Sequence, residues 1–368
     1  MLASAKSICQ ITTVHPRYDV RIFNKICLSL VSDYQVFLIV ADGKGDEVIN
    51  NVTIFDVGRG NSSRIKRMLF TTRSAYRKAM ELDCEVFHFH DPEFLFYGLK
   101  LTRKGKKVIY DVHEDVPKQT LSKDYLNPLL RIILARLIKM IENHISARLY
   151  AVITVTPFIN ERFQKNNKRS ININNYPFIA GGKSIPYQKR SGLCYIGSIN
   201  RIRGIKEIVR SLENIDTTLN LAGDFESEEF KEELMHDKNW LKVKFYGSVS
   251  SGEVIEILKK SQIGLVTYLP EPNHIEAQPN KMFEYMAAAL PLVASDFPLW
   301  KEIVEGNKCG ICVNPNDSED ISKAINYLLM NRDIAETMGR NGVKAVSDKF
   351  NWDSEKKKLL TLYSSLFQ

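Results

Sequence analysis

Two glutamates, Glu276 and Glu284, stand eight positions apart in the stretch EAQPNKMFEYMAAALPLVASDFP, which ends at Pro298. Pro279 can pre-set the start of a helix through Met282, Phe283, Met286 and Ala289, and Pro291 closes it. One glutamate then lies ahead of the helix and the other inside it, so the two can flank one bound molecule from two directions. The helix starts beside Asn280 and Lys281, where its free backbone N–H groups form a seat for a phosphate. A second basic site lies upstream, with Arg201 and Arg203 at a helix start in GSINRIRG. Cations there oppose the helix dipole and want an anion to neutralise them. A pyrophosphate fits both places.

The first half has its own candidates. His15, Arg17 and Arg21 lie in HPRYDVR, between a first strand at residues 6–13 and a helix at residues 22–31. These three can contact a phosphate, with Arg21 as a plain helix-surface charge the alternative. The usual glycines are absent, so the loop is no dinucleotide fingerprint. His90 and His113 end two neighbouring strands, in HFHDPE and DVHED. Ligands of open α/β sheets bind at such strand ends. Neither cluster offers a convincing third ligand for zinc, and Cys309 and Cys312 lack a second pair to complete a metal set. These cysteines read as buried thiols of a strand.

The elements that carry these residues alternate strand and helix through both halves. This pattern means parallel sheets with helices on both faces. The expected fold is α/β, with two Rossmann-like, doubly wound domains facing across a cleft. Residues 1–175 form the first domain, and residues 193–351 the second. Residues 176–192, rich in proline and glycine, form the linker. A last helix, 352–368, is expected to pack back on the first domain.

At 368 residues the chain suits two domains. No apolar run approaches the roughly 18 residues of a membrane-spanning helix. The N-terminus lacks the features of a signal peptide, so the expected location is the cytoplasm. The net charge of +8 is uneven: residues 1–190 carry 30 Lys and Arg against 17 Asp and Glu, whereas residues 191–368 carry 21 against 26. The basic half should meet something anionic. Nucleic acid would want aromatics interleaved with the basic patch, and these are sparse between Arg59 and Lys78. The segment RIKRMLFTTRSAYRKAM instead gives a basic amphipathic helix. Ile65, Met68, Leu69, Tyr76 and Met80 form its apolar side, flanked by Arg64, Lys66, Arg67 and Arg73. Such a helix can lie in a membrane interface. Residues 127–149 form a long helix with Leu130, Ile133, Leu134, Leu137 and Ile141 on its apolar face, as a core helix or a second interfacial one.

The second half resembles the retaining glycosyltransferases of family 4, which have the GT-B fold. Glu276 and Glu284 resemble their E-x(7)-E element, GSINRIRG their phosphate-binding loop, and LAGDF and YGSV their nucleotide-binding turns. HPRYDVRIF, HFHDPE and YDVHED resemble first-domain segments of bacterial members that build surface polysaccharides. The likeness covers nearly the whole chain and is most specific in PNKMFEYMAAALP. It implies transfer of a sugar from a nucleotide sugar to a lipid-linked (polyprenyl pyrophosphate) acceptor, in O-antigen, capsule or exopolysaccharide synthesis. The place implied is the inner membrane face, where the protein would bind peripherally, with no cofactor and no required metal.

By position, the resemblance implies that Glu276 contacts the donor sugar and Glu284 the ribose. Arg203 stands where the family usually has a lysine for the diphosphate. Ser198 replaces its usual arginine, and Arg201 is expected to supply that charge. Gly223 lies in one nucleotide turn, and Gly247 to Val249 would frame the base. His113 matches a histidine near the reacting sugar. His15, Arg17, Arg21 and His90 would serve the acceptor. The implied chemistry is same-face attack by the acceptor hydroxyl with the leaving phosphate as base. Two other readings share the fold: a nucleotide-sugar epimerase, which needs no lipid acceptor, and a non-catalytic nucleotide-sugar-binding partner. The presence of both glutamates argues against the second.

Overall fold

The computed structural model describes residues 6–60, 63, 66–123, 126–179 and 185–368. The chain divides into two compact units, Met1–Asn175 with Trp352–Gln368, and Tyr176–Asn351.

The strands of the first unit are β1 (Ser7–Ile11), β2 (Gln35–Val40), β3 (Glu47–Ile49), β4 (Val52–Asp56), β5 (Val86–Phe89), β6 (Lys107–Val112), β7 (Ala151–Thr154) and β8 (Ser170–Asn172). They form one sheet in the order β3-β4-β2-β1-β5-β6-β7-β8. All pairs are parallel except β3 with β4. That edge hairpin turns at Asn50 and Asn51, both with positive φ, as a two-residue hairpin turn requires. The central strands are buried on both faces, which is why they read as near-continuous apolar runs. One face is covered by the segment Val20–Cys27, which forms a π-helix, and by the last helix, Trp352–Leu366. There Ile22, Phe23 and Ile26 meet Trp352, Leu359 and Tyr363 over Ile8, Val86 and Ile109. The helices Thr72–Glu81 and Leu95–Arg103 pack Ala75, Ala79, Leu95 and Leu101 on the other face.

The second unit contains β9 (Leu193–Ile196), β10 (Leu219–Ala222), β11 (Val243–Gly247), β12 (Ile263–Val266), β13 (Leu292–Ser295) and β14 (Gly310–Val313). Their order is β11-β10-β9-β12-β13-β14, all parallel. In both sheets the first strand sits in the interior, and the chain winds first to one side and then to the other. The topological switch point therefore lies between β1 and β5 in one unit and between β9 and β12 in the other. Open α/β sheets bind ligands in the crevice at that point, outside the carboxyl ends of the strands.

Some elements differ from expectation. The helix after Pro279 is shorter, Asn280–Ala287, and Ala289 takes a left-handed φ of 58°. Arg190 closes this helix by donating to the carbonyls of Ala288 and Ala289, so Pro291 is not the stop. Asp317 caps the helix Ser318–Met330: its carboxylate accepts from the N–H groups of Glu319 and Asp320. Cys309 is buried and Cys312 half-buried, both as free thiols. Burial pushes both thiols up to about 12, so neither is poised to react. No helix among the described residues is long and apolar enough to cross a membrane.

Candidate functional site

In the second unit, three glycines end β9, β10 and β11: Gly197, Gly223 and Gly247. Gly223 has φ +140°, and a Cβ there would stand 2.0 Å from the Gly197 carbonyl oxygen, so only glycine lets the two loops meet. The Gly223 N–H donates to the Gly247 carbonyl at 2.8 Å, and Ser248 Oγ donates to Asp224. Val249 is half-buried just beyond. After β9, Asn200 accepts from the Arg203 N–H and starts the short turn Arg201–Arg203. Arg203 Nη1 donates back to the Ser198 carbonyl at 3.3 Å, while the Ser198 side chain is exposed.

The loop after β12 leads to the glutamates. Trp300 Nε1 donates to the Ala277 carbonyl at 2.7 Å, and Tyr176 donates to Gln278, which fixes the loop on either side of Gln278. Glu276 is half-buried in this loop. Glu284 and Asn280 are exposed on the helix, and Lys281 is buried at its start. The hydroxyl of Tyr285, on the same helix, accepts from the Ile196 N–H of β9 at 2.8 Å. The switch point between β9 and β12 is thus lined by Gly197, Arg203, Lys281 and the first N–H groups of this helix.

Arg201 departs from its expected role. Its guanidinium pairs with Glu233 and lies over the Phe230 ring, and Lys206 pairs with the same carboxylate. These two cations pull Glu233 down to about 2. A side chain neutralised on an adjacent helix is not an anion site for the β9 loop.

In the first unit, the switch point collects a polar strip on one face of a buried sheet. Gln10, His88 and the residue after Phe89, His90, follow one side of β1 and β5, and Asp111 and His113 continue it on β6. His90 Nε2 faces Gln10 Oε1 at 3.0 Å, and Gln10 Nε2 donates to the Tyr363 hydroxyl at 2.8 Å. That hydroxyl is 2.8 Å from His88 Nδ1. His90 Nε2 therefore carries its proton, and Nδ1 is left to accept from His113 Nε2 at 3.1 Å. Burial holds His90 down to about 4, against the pull of Asp111, so it stays neutral in this role. Asp111 is fully buried, and burial alone would raise it. Arg21 and His113 overcome that and hold it well below the usual carboxylate range. His113 is thereby fixed with Nε2–H inward.

His15 completes this corner. Its ring lies 4.8 Å from that of His113, and it sits 3.6 Å from both Asp19 and Asp91. Burial opposes its protonation, but the Asp19, Asp91 and Asp111 carboxylates outweigh burial and raise its pKa. Asp91 in turn is held by Thr12 and Thr13.

The other acceptor candidates are spent elsewhere. Arg17 is buried and forks onto Asp42 at 2.7 and 2.8 Å, with Glu47 at 2.8 Å, locking its loop to the β3 hairpin. Arg21 is neither a surface charge nor a ligand contact: it is buried, bidentate to Asp111 at 2.8 Å, and donates to the Ile173 carbonyl. His90 is buried behind His113 and cannot touch a ligand directly. Among the described residues, His88, His90 and Asp111 form a group compact enough for a metal. The Arg21 guanidinium already satisfies Asp111 there, and its charge opposes a second cation.

The basic segment is rearranged as well. Arg64 and Ile65 lie outside the described residues. Arg67 is bidentate to Glu93 at 2.8 and 3.0 Å and so is not free to face lipid, whereas Lys66 and Arg73 are exposed. The helical segment buries small residues, Thr71, Thr72, Ala75 and Ala79, and exposes Met68, Leu69 and Phe70. The helix Pro128–Ser146 does the same in its first turns, with Leu129, Leu130, Ile133, Leu137 and Met140 exposed beside Arg136 and Lys139. Both elements pack against Leu95–Arg103, whose Phe96 is also exposed.

Residues 23–172 match the family described as Glycosyltransferase Family 4, and residues 182–345 match Glycosyl transferases group 1. Each half of the chain thus resembles a glycosyltransferase domain. An uncharacterized glycosyltransferase of Methanocaldococcus jannaschii is 26% identical over 176 residues, 46% of this chain and 44% of that protein. The capsular polysaccharide biosynthesis glycosyltransferase CapM of Staphylococcus aureus is 23% identical over 192 residues, 47% of this chain and 46% of that protein. The chain thus spans about half the length of these curated relatives. Among solved structures, HepE of Anabaena in complex with UDP and glucose superposes with a TM-score of 0.74 at 14% identity, covering 98% of this chain and all of that one. At that identity the likeness speaks to the fold.

Several residues of the first unit's polar cluster escaped the motif reading: Gln10, Asp91, Asp111 and Tyr363. A signal was present for two of them. A glutamine inside the apolar strand SICQI, and an aspartate two residues before His113, share the period-2 face of the histidines. Tyr363, 250 positions beyond His113, left none.

Proposed function

We propose that this GT-B glycosyltransferase moves a sugar from a nucleoside-diphosphate sugar to a lipid-linked saccharide at an anionic membrane face, with retention of anomeric configuration. The observation that carries the donor half is the convergence at the β9–β12 switch point of Arg203, Lys281, the Asn280 helix start and the loop bearing Glu276. A leaving diphosphate needs its developing charge stabilised, and preorganised cations and N–H donors do that. We assign charge compensation to these groups with no metal required. Glu276 then addresses the sugar and Glu284 the ribose, with Ser198, Gly223, Gly247 and Val249 lining the nucleotide.

The acceptor half rests on the first unit. His15 and His113 are the accessible members of its switch-point cluster, and they serve the acceptor. The exposed apolar side chains around Phe70 and Leu129, edged by Lys66, Arg73, Arg136 and Lys139, suit an anionic bilayer: apolar groups enter the interface and cations meet headgroups. The capsular role in the name of the S. aureus relative supports a product in surface-polysaccharide synthesis.

Incubation with labelled nucleotide sugars and vesicles carrying a polyprenyl-pyrophosphate saccharide tests the proposal. Label should move into the lipid fraction, and Glu276→Gln should cut the rate by about 10²-fold or more with an unchanged melting temperature. Label recovered only as an epimerised nucleotide sugar would favour the epimerase, and full turnover in the variant would remove Glu276 from the mechanism.

A further inference from the structure

Lys281 is 8% exposed, and its Nζ is buried without a hydrogen-bond partner. This nitrogen lies 3.7 Å from the centre of the Tyr195 ring and 5.4 Å from that of Tyr268. A Cβ built at Gly197 would stand 2.9 Å from Lys281 Nζ and 3.6 Å from Arg203 Nη1. Two basic groups converge on one point of the β9 loop, at the end of a helix that already presents its N–H groups. Arg201, by contrast, is held by Glu233.

Such convergence is unfavourable until an anion arrives. Burial first, and then Arg203, drive the Lys281 pKa well below the ordinary lysine value, with Glu284 opposing. The titratable and charged groups facing Nζ are Cys194 and Tyr195 of β9, Arg203 after it, Tyr268 after β12, and Glu284 on its own helix. Burial pushes Cys194 up to about 12 and Tyr195 and Tyr268 upward, so these three keep their protons.

We propose that the Lys281 amine is, beside Arg203, the second cation of the donor's diphosphate, and that diphosphate binding is coupled to uptake of one proton at this nitrogen. This rests on the reading of the second unit as the nucleotide-sugar unit. The free protein presents –NH₂; as the phosphates reach the Gly197 loop, the amine takes a proton from solvent and becomes –NH₃⁺. Donor affinity then falls as pH rises.

Calorimetric titration of the full chain with UDP, GDP and ADP, at pH 8 in two buffers of different ionisation enthalpy, tests this. The tightest binder should take up about one proton. Lys281→Met should bind it about tenfold or more weakly, with no proton uptake, while melting no lower than wild type without ligand. Lys281→Arg, with a fixed charge, should bind without uptake. Undiminished affinity in Lys281→Met, or uptake that persists in either variant, overturns the proposal. Absence of binding by wild type to all three diphosphates overturns the nucleotide-sugar reading itself.

Discussion

Asp111 sets the charge balance beneath His113, because it is the carboxylate that Arg21 and His113 both address. The linked histidine gives a pH signature. His90 titrates at about 4 in the folded chain, below the ordinary 6.5, because it is buried. Between those values the unfolded chain binds the proton and the folded chain does not. Stability therefore falls as pH drops through that window, by roughly 3 kcal/mol at its lower end. His88, lowered by burial, acts in the same direction. His15 acts oppositely: its raised pKa makes its pairs with Asp19 and Asp91 fully effective below about pH 6.5, and they fade as pH rises through its folded value. His90→Gln should show a smaller loss of melting temperature from pH 6.5 to 4.5 than wild type, and parallel curves would contradict the assignment. At this scale the placing of Glu276 ahead of a helix and of Glu284 inside it was legible, because Pro279 marks the helix start. The roles of Arg17, Arg21, Arg201 and Arg67 were not, since each is settled by a carboxylate 25 to 90 positions away that no local pattern reveals.

The two exposed apolar elements of the first unit carry the membrane claim. Sequence period gave Pro128–Ser146 an apolar face and left its burial open. The structure turns Ala135, Glu142, Ile145 and Ser146 inward and leaves Leu129, Ile133 and Met140 out. Periodicity identifies a face but does not say whether protein or lipid covers it. Phe70→Asp with Leu129→Asp should release the protein from anionic vesicles in a flotation assay, with unchanged melting, because neither side chain packs in a core. Cosedimentation as before would remove these elements from the membrane reading. The parallel strands were readable as apolar runs between turn residues, as in Gln35–Val40 and Leu193–Ile196. The three-residue strands β3 and β8 were not, because so short a segment has no period to detect.

Over the whole molecule, the last helix belongs to the first unit although it follows the second in sequence. Trp352, Leu359, Tyr363 and Leu366 lie in that unit's core, and Tyr363 closes the hydrogen-bond chain to His88 and Gln10. Truncation after Asn351 should unfold the first unit and leave the second folded, giving a calorimetric trace that keeps one of two transitions. Two intact transitions would show that the helix is dispensable. The two-sheet α/β architecture was legible because alternating strands and helices leave few other packings. The central claim is that the loops at the β9–β12 switch point hold a nucleoside diphosphate sugar. Melting of wild type and Glu284→Ala against a panel of UDP, GDP, ADP and TDP sugars tests it most directly. A ligand at 100 times its Kd adds about 2.7 kcal/mol, which reads as a shift of a few degrees. At least one sugar of the panel should raise the wild-type melting temperature by that order and the variant's by far less, whereas no shift with any of them at millimolar concentration would contradict the account.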